Sequence, residues 1–248
     1  MLWYDKPFCG IEYHKVAGVL QPPSRTLRRR SVAQRRIRTF FEWQLKKSRE
    51  TIFDLIYGVD TFRWALDPVR NTPTRFVYDA APWSTLRRIF RHLSLDFSRF
   101  TFVDMGCGKG RMVLAASAFP FASVIGVEFS PLLCRIAESN LVKCRRLRRR
   151  AQSTRIIECD ATKFAIPCTP CVFFFYNPFS FELLETVIQH ITDSYRQCPR
   201  DLLLILVGMS TVLPQVTSIP AMKVLYLSSI PVGMSTNRSL YVFSVIGD

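Results

Sequence analysis

Histidine is scarce in this chain, with three in 248 residues: His14, His92 and His190. None lies near a nucleophile motif, and neither G-x-S-x-G nor H-E-x-x-H occurs. Serine hydrolases of the elbow type and zinc proteases therefore have no support. Long apolar runs are missing too. The longest, Cys171–Tyr176 and Leu202–Met209, fall far short of the roughly 20 residues that span a bilayer. No N-terminal stretch has the apolar centre of a signal peptide. The expectation is a cytoplasmic protein without a membrane span.

Cysteine is present but lacks a framework. The eight fall at 9, 107, 134, 144, 159, 168, 171 and 198, several inside expected strands or helices, which suits a reduced compartment. Cys168-Thr-Pro-Cys171 is a C-x-x-C pair. It precedes an expected strand instead of following one, and neither a second such pair nor a histidine pair completes a zinc site. No metal is expected. Acids are in deficit as well: 19 Asp and Glu face 34 Lys and Arg, a formal net charge of +15. Such a balance favours polyanionic partners, namely RNA, DNA, an acidic protein or an anionic membrane surface.

Hydrophobic residues make up 48% of the chain, enough for one well-packed domain plus an extension. The division expected is a basic helical extension over 1–50 and a domain over 51–248. The informative stretch lies inside that domain. A short apolar strand, Phe100–Val103, ends in Asp104. A turn with Gly106, Gly108 and Gly110 follows, then an apolar helix over Met112–Phe119. A second strand, Ser123–Val127, ends in Glu128. Strand, glycine loop, helix, strand and acid compose one βαβ unit suited to a nucleotide. Glycines let backbone approach a ligand closely, and the distal acid accepts hydrogen bonds from ribose hydroxyls. The loop reads G-x-G-x-G and not the dinucleotide pattern G-x-G-x-x-G. Asp104, two residues before the first glycine, would repel a pyrophosphate but suits a ligand carrying ammonium and sulfonium charges.

The segments VDMGCGKGR (Val103–Arg111) and VIGVEFS (Val124–Ser130) resemble the first two motifs of class I S-adenosylmethionine-dependent methyltransferases. Together with Tyr57–Thr61 (YGVDT) and a strand ending in YNPF (Tyr176–Phe179), they are similar to a group of small bacterial proteins of that class. The resemblance covers about residues 54–246. It implies an α/β Rossmann-like fold with a mostly parallel seven-stranded sheet flanked by helices, closed by an antiparallel hairpin. It also implies S-adenosyl-L-methionine as cofactor. Asp104 would order the ammonium group, and Gly106, Cys107, Gly108 and Gly110 would bring backbone against the methionine part. Glu128 would hold the ribose and Asp160 the adenine, with Phe129 and Ala161 also among the cofactor-binding residues. Asn177, Pro178 and Phe179 match the acceptor position of amine methyltransferases, where a polar side chain holds the amine and an aromatic ring packs on it. Asn177 also borders the cofactor. This chain lacks the second proline of that pattern.

The rest of the chain frames this unit. Pro22-Pro23 marks a linker. Between Arg25 and Arg49 there are ten Lys or Arg against one acid, Glu42. Ile37, Phe41, Leu45, Ser48, Ile52 and Leu55 keep helical spacing, so one long helix with an apolar stripe is expected. Either it docks that stripe on the domain with its basic face in water, or it offers a surface to nucleic acid or an acidic acceptor. A second basic run, Lys143–Arg150, holds six cations in eight residues, at the end of a helix that starts at Ser130-Pro131. Further expectations are a helix over Trp83–Leu93, strands at Arg155–Cys159, Val172–Tyr176, Asp201–Val207, Ala221–Leu227 and Leu240–Ile246, a helix over Phe181–Arg196, and Tyr78 as a lid contact.

The function expected is N-methylation of a lysine or another macromolecular amine by direct transfer. Competing readings are a nucleic-acid methyltransferase, a non-catalytic cofactor-binding scaffold and, more remotely, an NAD-dependent oxidoreductase.

Overall fold

In the computed structural model, residues 50–62, 80–176, 180–208, 216–219, 221–231 and 237–246 are described. The elements in order are helix α1 (50–57), helix α2 (Thr85–Phe90), strand β1 (Thr101–Met105), helix α3 (Arg111–Ser117), strand β2 (Ser123–Glu128), helix α4 (Pro131–Lys143), strand β3 (Thr154–Glu158), strand β4 (Cys171–Tyr176), helix α5 (Phe181–Gln197), and strands β5 (Leu202–Val207), β6 (Met222–Pro231) and β7 (Asn237–Val245). Each expected strand is present within a residue or two, except that β6 and β7 are longer than the apolar pattern suggests.

A strand covered on both faces cannot alternate apolar and polar residues. The sequences of β1, β4 and β5 accordingly read as near-continuous apolar runs, and they are buried along almost their whole length. Seven strands form one sheet in the order β3-β2-β1-β4-β5-β7-β6. Strands β1 to β5 pair in parallel, whereas β7 runs antiparallel to both β5 and β6. This is the Rossmann-like methyltransferase architecture that the resemblance implied.

Alternate residues of the central strands serve opposite faces. On one face, Val103, Met105, Phe173 and Phe175 pack with Leu184, Val187, Ile188 and Ile191 of α5. On the other, Phe102, Val172 and Phe174 pack with Leu86, Ile89 and Phe90 of α2 and with Met112, Val113 and Ala116 of α3. Phe90 stands edge-on to Phe97, Phe119 and Phe121, which adds directional ring contacts to the burial.

The topology also places the site. From β1 the chain steps to β2 and β3 on one side of the sheet, then returns to β4 on the other side of β1. Connections diverge at the carboxyl ends of β1 and β4, which opens the crevice where such sheets bind ligands. Asp104 and Met105 sit at that end of β1, and Tyr176 at that end of β4.

Helix α1 departs from one expectation. Ile52 and Leu55, at the end of the apolar stripe, are 52% and 74% exposed, so this part of the stripe does not dock on the domain. The inward face carries Glu50, Phe53, Asp54 and Tyr57 instead, because α1 is held by ion pairs and ring stacking. Phe53 stacks on Tyr57 and on Trp83, with centroids 4.4 and 4.1 Å apart. The expected basic helix before residue 50 and the lid residue Tyr78 lie outside the described residues.

Candidate functional site

Three glycines at alternate positions form the turn between β1 and α3. Gly106, Gly108 and Gly110 have φ of 79°, 56° and 79°, the left-handed region that residues with a Cβ rarely adopt. The N–H groups of Gly106 and Cys107 donate to the Val127 carbonyl at 2.9 and 3.0 Å, pinning the loop to the end of β2. Gly110 also lets α4 come close, since a Cβ there would lie 3.1 Å from Cβ of Ala137.

Glu128 ends β2 and is buried. Its Oε2 accepts from the Gly108 N–H at 2.9 Å, and its Oε1 from the N–H groups of Phe129 and Ser130 at 3.1 and 3.0 Å. The carboxylate therefore shapes the glycine loop from within. Accepting ribose hydroxyls requires it to share or exchange these bonds. Just beyond, Ser130 caps α4 by accepting from the Leu133 N–H at 3.2 Å, with Pro131 opening the first turn.

Asp104 is buried beside this acid. Its carboxyl pKa is pushed up to about 8, first by burial and then by the charge of Glu128. Both causes penalise the carboxylate form. A cation arriving here would supply the missing countercharge, so the residues present fit a ligand bearing an ammonium or sulfonium group.

Asp160 follows β3 and starts the short turn Ala161–Lys163. Its Oδ1 accepts from the N–H and the hydroxyl of Thr162, at 3.0 and 2.8 Å. Ala161 is buried and Phe129 partly exposed. The remaining site residues, Asn177, Pro178 and Phe179, lie outside the described residues, between the end of β4 and the start of α5. Cys171 is the first residue of β4, and burial pushes its thiol up to about 12. No reactive thiolate forms there at neutral pH, against a redox role for the C-x-x-C pair.

Sequence reasoning missed a polar network behind the loop. Lys109 and Arg111, inside the GKGR segment, are among the most deeply buried side chains in the protein. Lys109 Nζ lies 2.9 Å from Asp60 Oδ2. Arg111 pairs with Glu50, donates Nε to Thr61 Oγ1 at 2.8 Å, and approaches Asp54 Oδ1 at 3.5 Å. Its guanidinium also stands 5.5 Å from the ring centres of Phe62 and Trp83. Asn140 of α4 closes the network by donating to the carbonyls of Asp60 and Lys109 and accepting from the Asp60 N–H. Asp54 in turn accepts from the N–H groups of Thr61 and Phe62, both at 2.7 Å. The YGVDT segment is thus the counterpart of GKGR. The acids Glu50, Asp54 and Asp60 before and within one segment and the two bases in the other were the available signal, 49 residues apart for Asp60 and Lys109.

No protein-family model matches the sequence, and none of the curated proteins does. Among solved structures the chain is similar to TrmN from Thermus thermophilus, with 13% identity, 66% of this chain and 48% of TrmN covered, and a TM-score of 0.49. The chain thus spans about half the length of TrmN. It is similar to a putative RNA methyltransferase from Pyrococcus horikoshii (13% identity, 66% and 83% covered, TM-score 0.46). It is also similar to the putative methyltransferase yhhF from Escherichia coli (15% identity, 60% and 76% covered, TM-score 0.44). Each is a likeness of architecture.

Proposed function

We propose that this chain, which has the fold of the class I S-adenosylmethionine-dependent methyltransferases, binds S-adenosylmethionine at the carboxyl ends of β1 and β2 and methylates a macromolecular amine. The observation that carries the reading is the buried acid pair, Asp104 and Glu128, against a loop of three left-handed glycines. A pyrophosphate would add negative charge to that pair, whereas an ammonium or sulfonium group relieves it.

When bound, the cofactor supplies an electrophilic methyl group on a sulfonium. Asp104 holds the ammonium end, and the backbone of Gly106 to Gly110, with Cys107 between them, contours the methionine part. Glu128 takes a ribose hydroxyl while keeping the loop bonded, with Phe129 beside it. Asp160 and Ala161 border the adenine. Asn177, beside Pro178, accepts one N–H of the acceptor amine and so aims its lone pair, and Phe179 keeps water away. An amine attacks only when neutral, and free lysine titrates near ~10.4. Burial at the crevice and a neighbouring positive charge both lower that value. No covalent intermediate on the protein is involved, so the rate comes mainly from positioning.

Labelled methyl transfer into a fractionated cell extract tests this reading. Protease-sensitive label that analyses as methylated lysine is the expected result. A nuclease-sensitive product assigns the chain to nucleic-acid methylation, and no transfer with any fraction assigns it to cofactor binding without turnover. Asn177→Ala should slow transfer ~10- to 1000-fold, as loss of an orienting contact does, with cofactor affinity little changed.

A further inference from the structure

Five large apolar side chains face water in the described part of this protein. One, Val224 of the edge strand β6, is 38% exposed and stands apart, and the other four gather in two places. Ile52, Leu55 and Ile56 lie on the outer face of α1, and Val142, 68% exposed, lies at the end of α4. The two places adjoin. Arg146 donates to the Ile56 carbonyl at 3.1 Å, while Val59 and Tyr57 share a small apolar cluster with Leu141, Cys144 and Leu147.

Cations surround this apolar ground. Lys143, Arg145, Arg146, Arg148, Arg149, Arg150 and Arg155 are all exposed. Among the described residues none of them pairs with an acid. An open groove of about 730 Å³ runs between α4 and the edge strand β3, lined by Arg145, Arg149 and Arg155 against one acid, Glu138, as well as by Val142, Leu147 and Ile156. Guanidinium groups and aliphatic side chains therefore share one lining. The stripe that ends in Ile52 and Leu55 begins in the sequence at Ile37, within the stretch that holds ten Lys or Arg.

We propose that this face is a docking surface for an anionic lipid bilayer. Phosphates alone would satisfy the arginines, but a nucleic acid offers exposed leucine and isoleucine nothing to bury against, and single-stranded readers use aromatic rings instead. A bilayer surface meets both demands. Headgroup phosphates take the guanidinium forks, and aliphatic side chains enter the acyl boundary, as on interfacial helices with a basic flank. Contact of this kind lies on the membrane and does not cross it. Among the described residues no helix is long and apolar enough to span.

The test is cosedimentation of the full chain with phosphatidylcholine vesicles, with and without about 30% phosphatidylglycerol, at rising salt. Binding is expected to the anionic vesicles only. Leu55→Ser/Ile56→Ser should weaken it about tenfold, and Arg145→Gln/Arg148→Gln by a similar factor with a flatter salt dependence. All four positions are exposed, so melting temperatures should not move, which keeps the comparison free of misfolding. No binding to anionic vesicles, or binding that ignores the Leu55 and Ile56 substitutions, overturns the proposal. RNA retention equally indifferent to those substitutions assigns the cations to nucleic acid.

Discussion

Lys109 Nζ and Asp60 Oδ2, 2.9 Å apart, join the glycine loop to the turn that follows α1. The lysine side chain is 2% exposed and the aspartate 48%, so the cation is the buried partner and depends on an acid at the surface. Asp60→Asn should cost ~1–3 kcal/mol, the usual penalty for leaving a buried charged group short of its partner. Lys109→Met combined with Asp60→Asn should cost less than the sum of the single changes. Urea unfolding of the four proteins measures that coupling. Additive effects would mean that the pair does not hold the segment.

Arg111 carries more of the same interface. Arg111→Lys keeps the charge but cannot reach Glu50, Thr61 and Asp54 together. Proteolysis should then cut within 50–62 at protease levels that spare the parent protein, because this side chain carries the ion pairs from α1 to the domain. Unchanged cleavage would leave ring stacking on Trp83 as the main tether.

Gly126 tests packing at the site without touching a ligand. A Cβ there would meet Val113 Cγ2 at 2.7 Å, Cys107 Sγ at 2.8 Å and Ile156 Cδ1 at 2.9 Å. Gly126→Ala should destabilise by ~1–3 kcal/mol through overpacking. The displaced Cys107 would also disturb the glycine loop, so cofactor affinity should fall in the same variant.

The fold was legible because its parallel strands are uniformly apolar and its βαβ unit is punctuated by glycines and an acid. Boundaries of α2 and α3 were overextended, since apolar residues such as Leu93 and Phe119 pack on the core from the loops that follow. The outward turn of Ile52 and Leu55 was not legible. Helical spacing shows that a stripe exists, but not which way it faces when the opposite face carries acids that find buried bases. The same blindness hid Lys109 and Arg111, since spacing does not show that charged residues beside a glycine turn are buried. Glu128 was singled out for a ligand. Its three backbone hydrogen bonds depend on the loop's path, which spacing alone does not give.

Asp104 should leave a mark on pH dependence. Its carboxyl titrates near 8 in the folded protein against 3.8 unfolded. Between those values the folded state keeps a proton that the unfolded state has lost, so stability falls as pH rises through that window and levels above it. A cationic ligand favours the ionised carboxylate. Its affinity should therefore rise several-fold from pH 6 to 8 with release of a proton, which calorimetry in buffers of different ionisation enthalpy detects.

The most direct measurement is thermal unfolding of the parent protein and of Asp104→Asn at pH 7, each alone, with S-adenosylhomocysteine and with NAD. The parent should be stabilised by S-adenosylhomocysteine through ligand linkage and not by NAD. Asp104→Asn should melt higher than the parent without ligand, because no buried carboxyl then resists ionisation. It should lose most of the response to S-adenosylhomocysteine. Stabilisation by NAD, or an undiminished S-adenosylhomocysteine response in Asp104→Asn, would contradict the account.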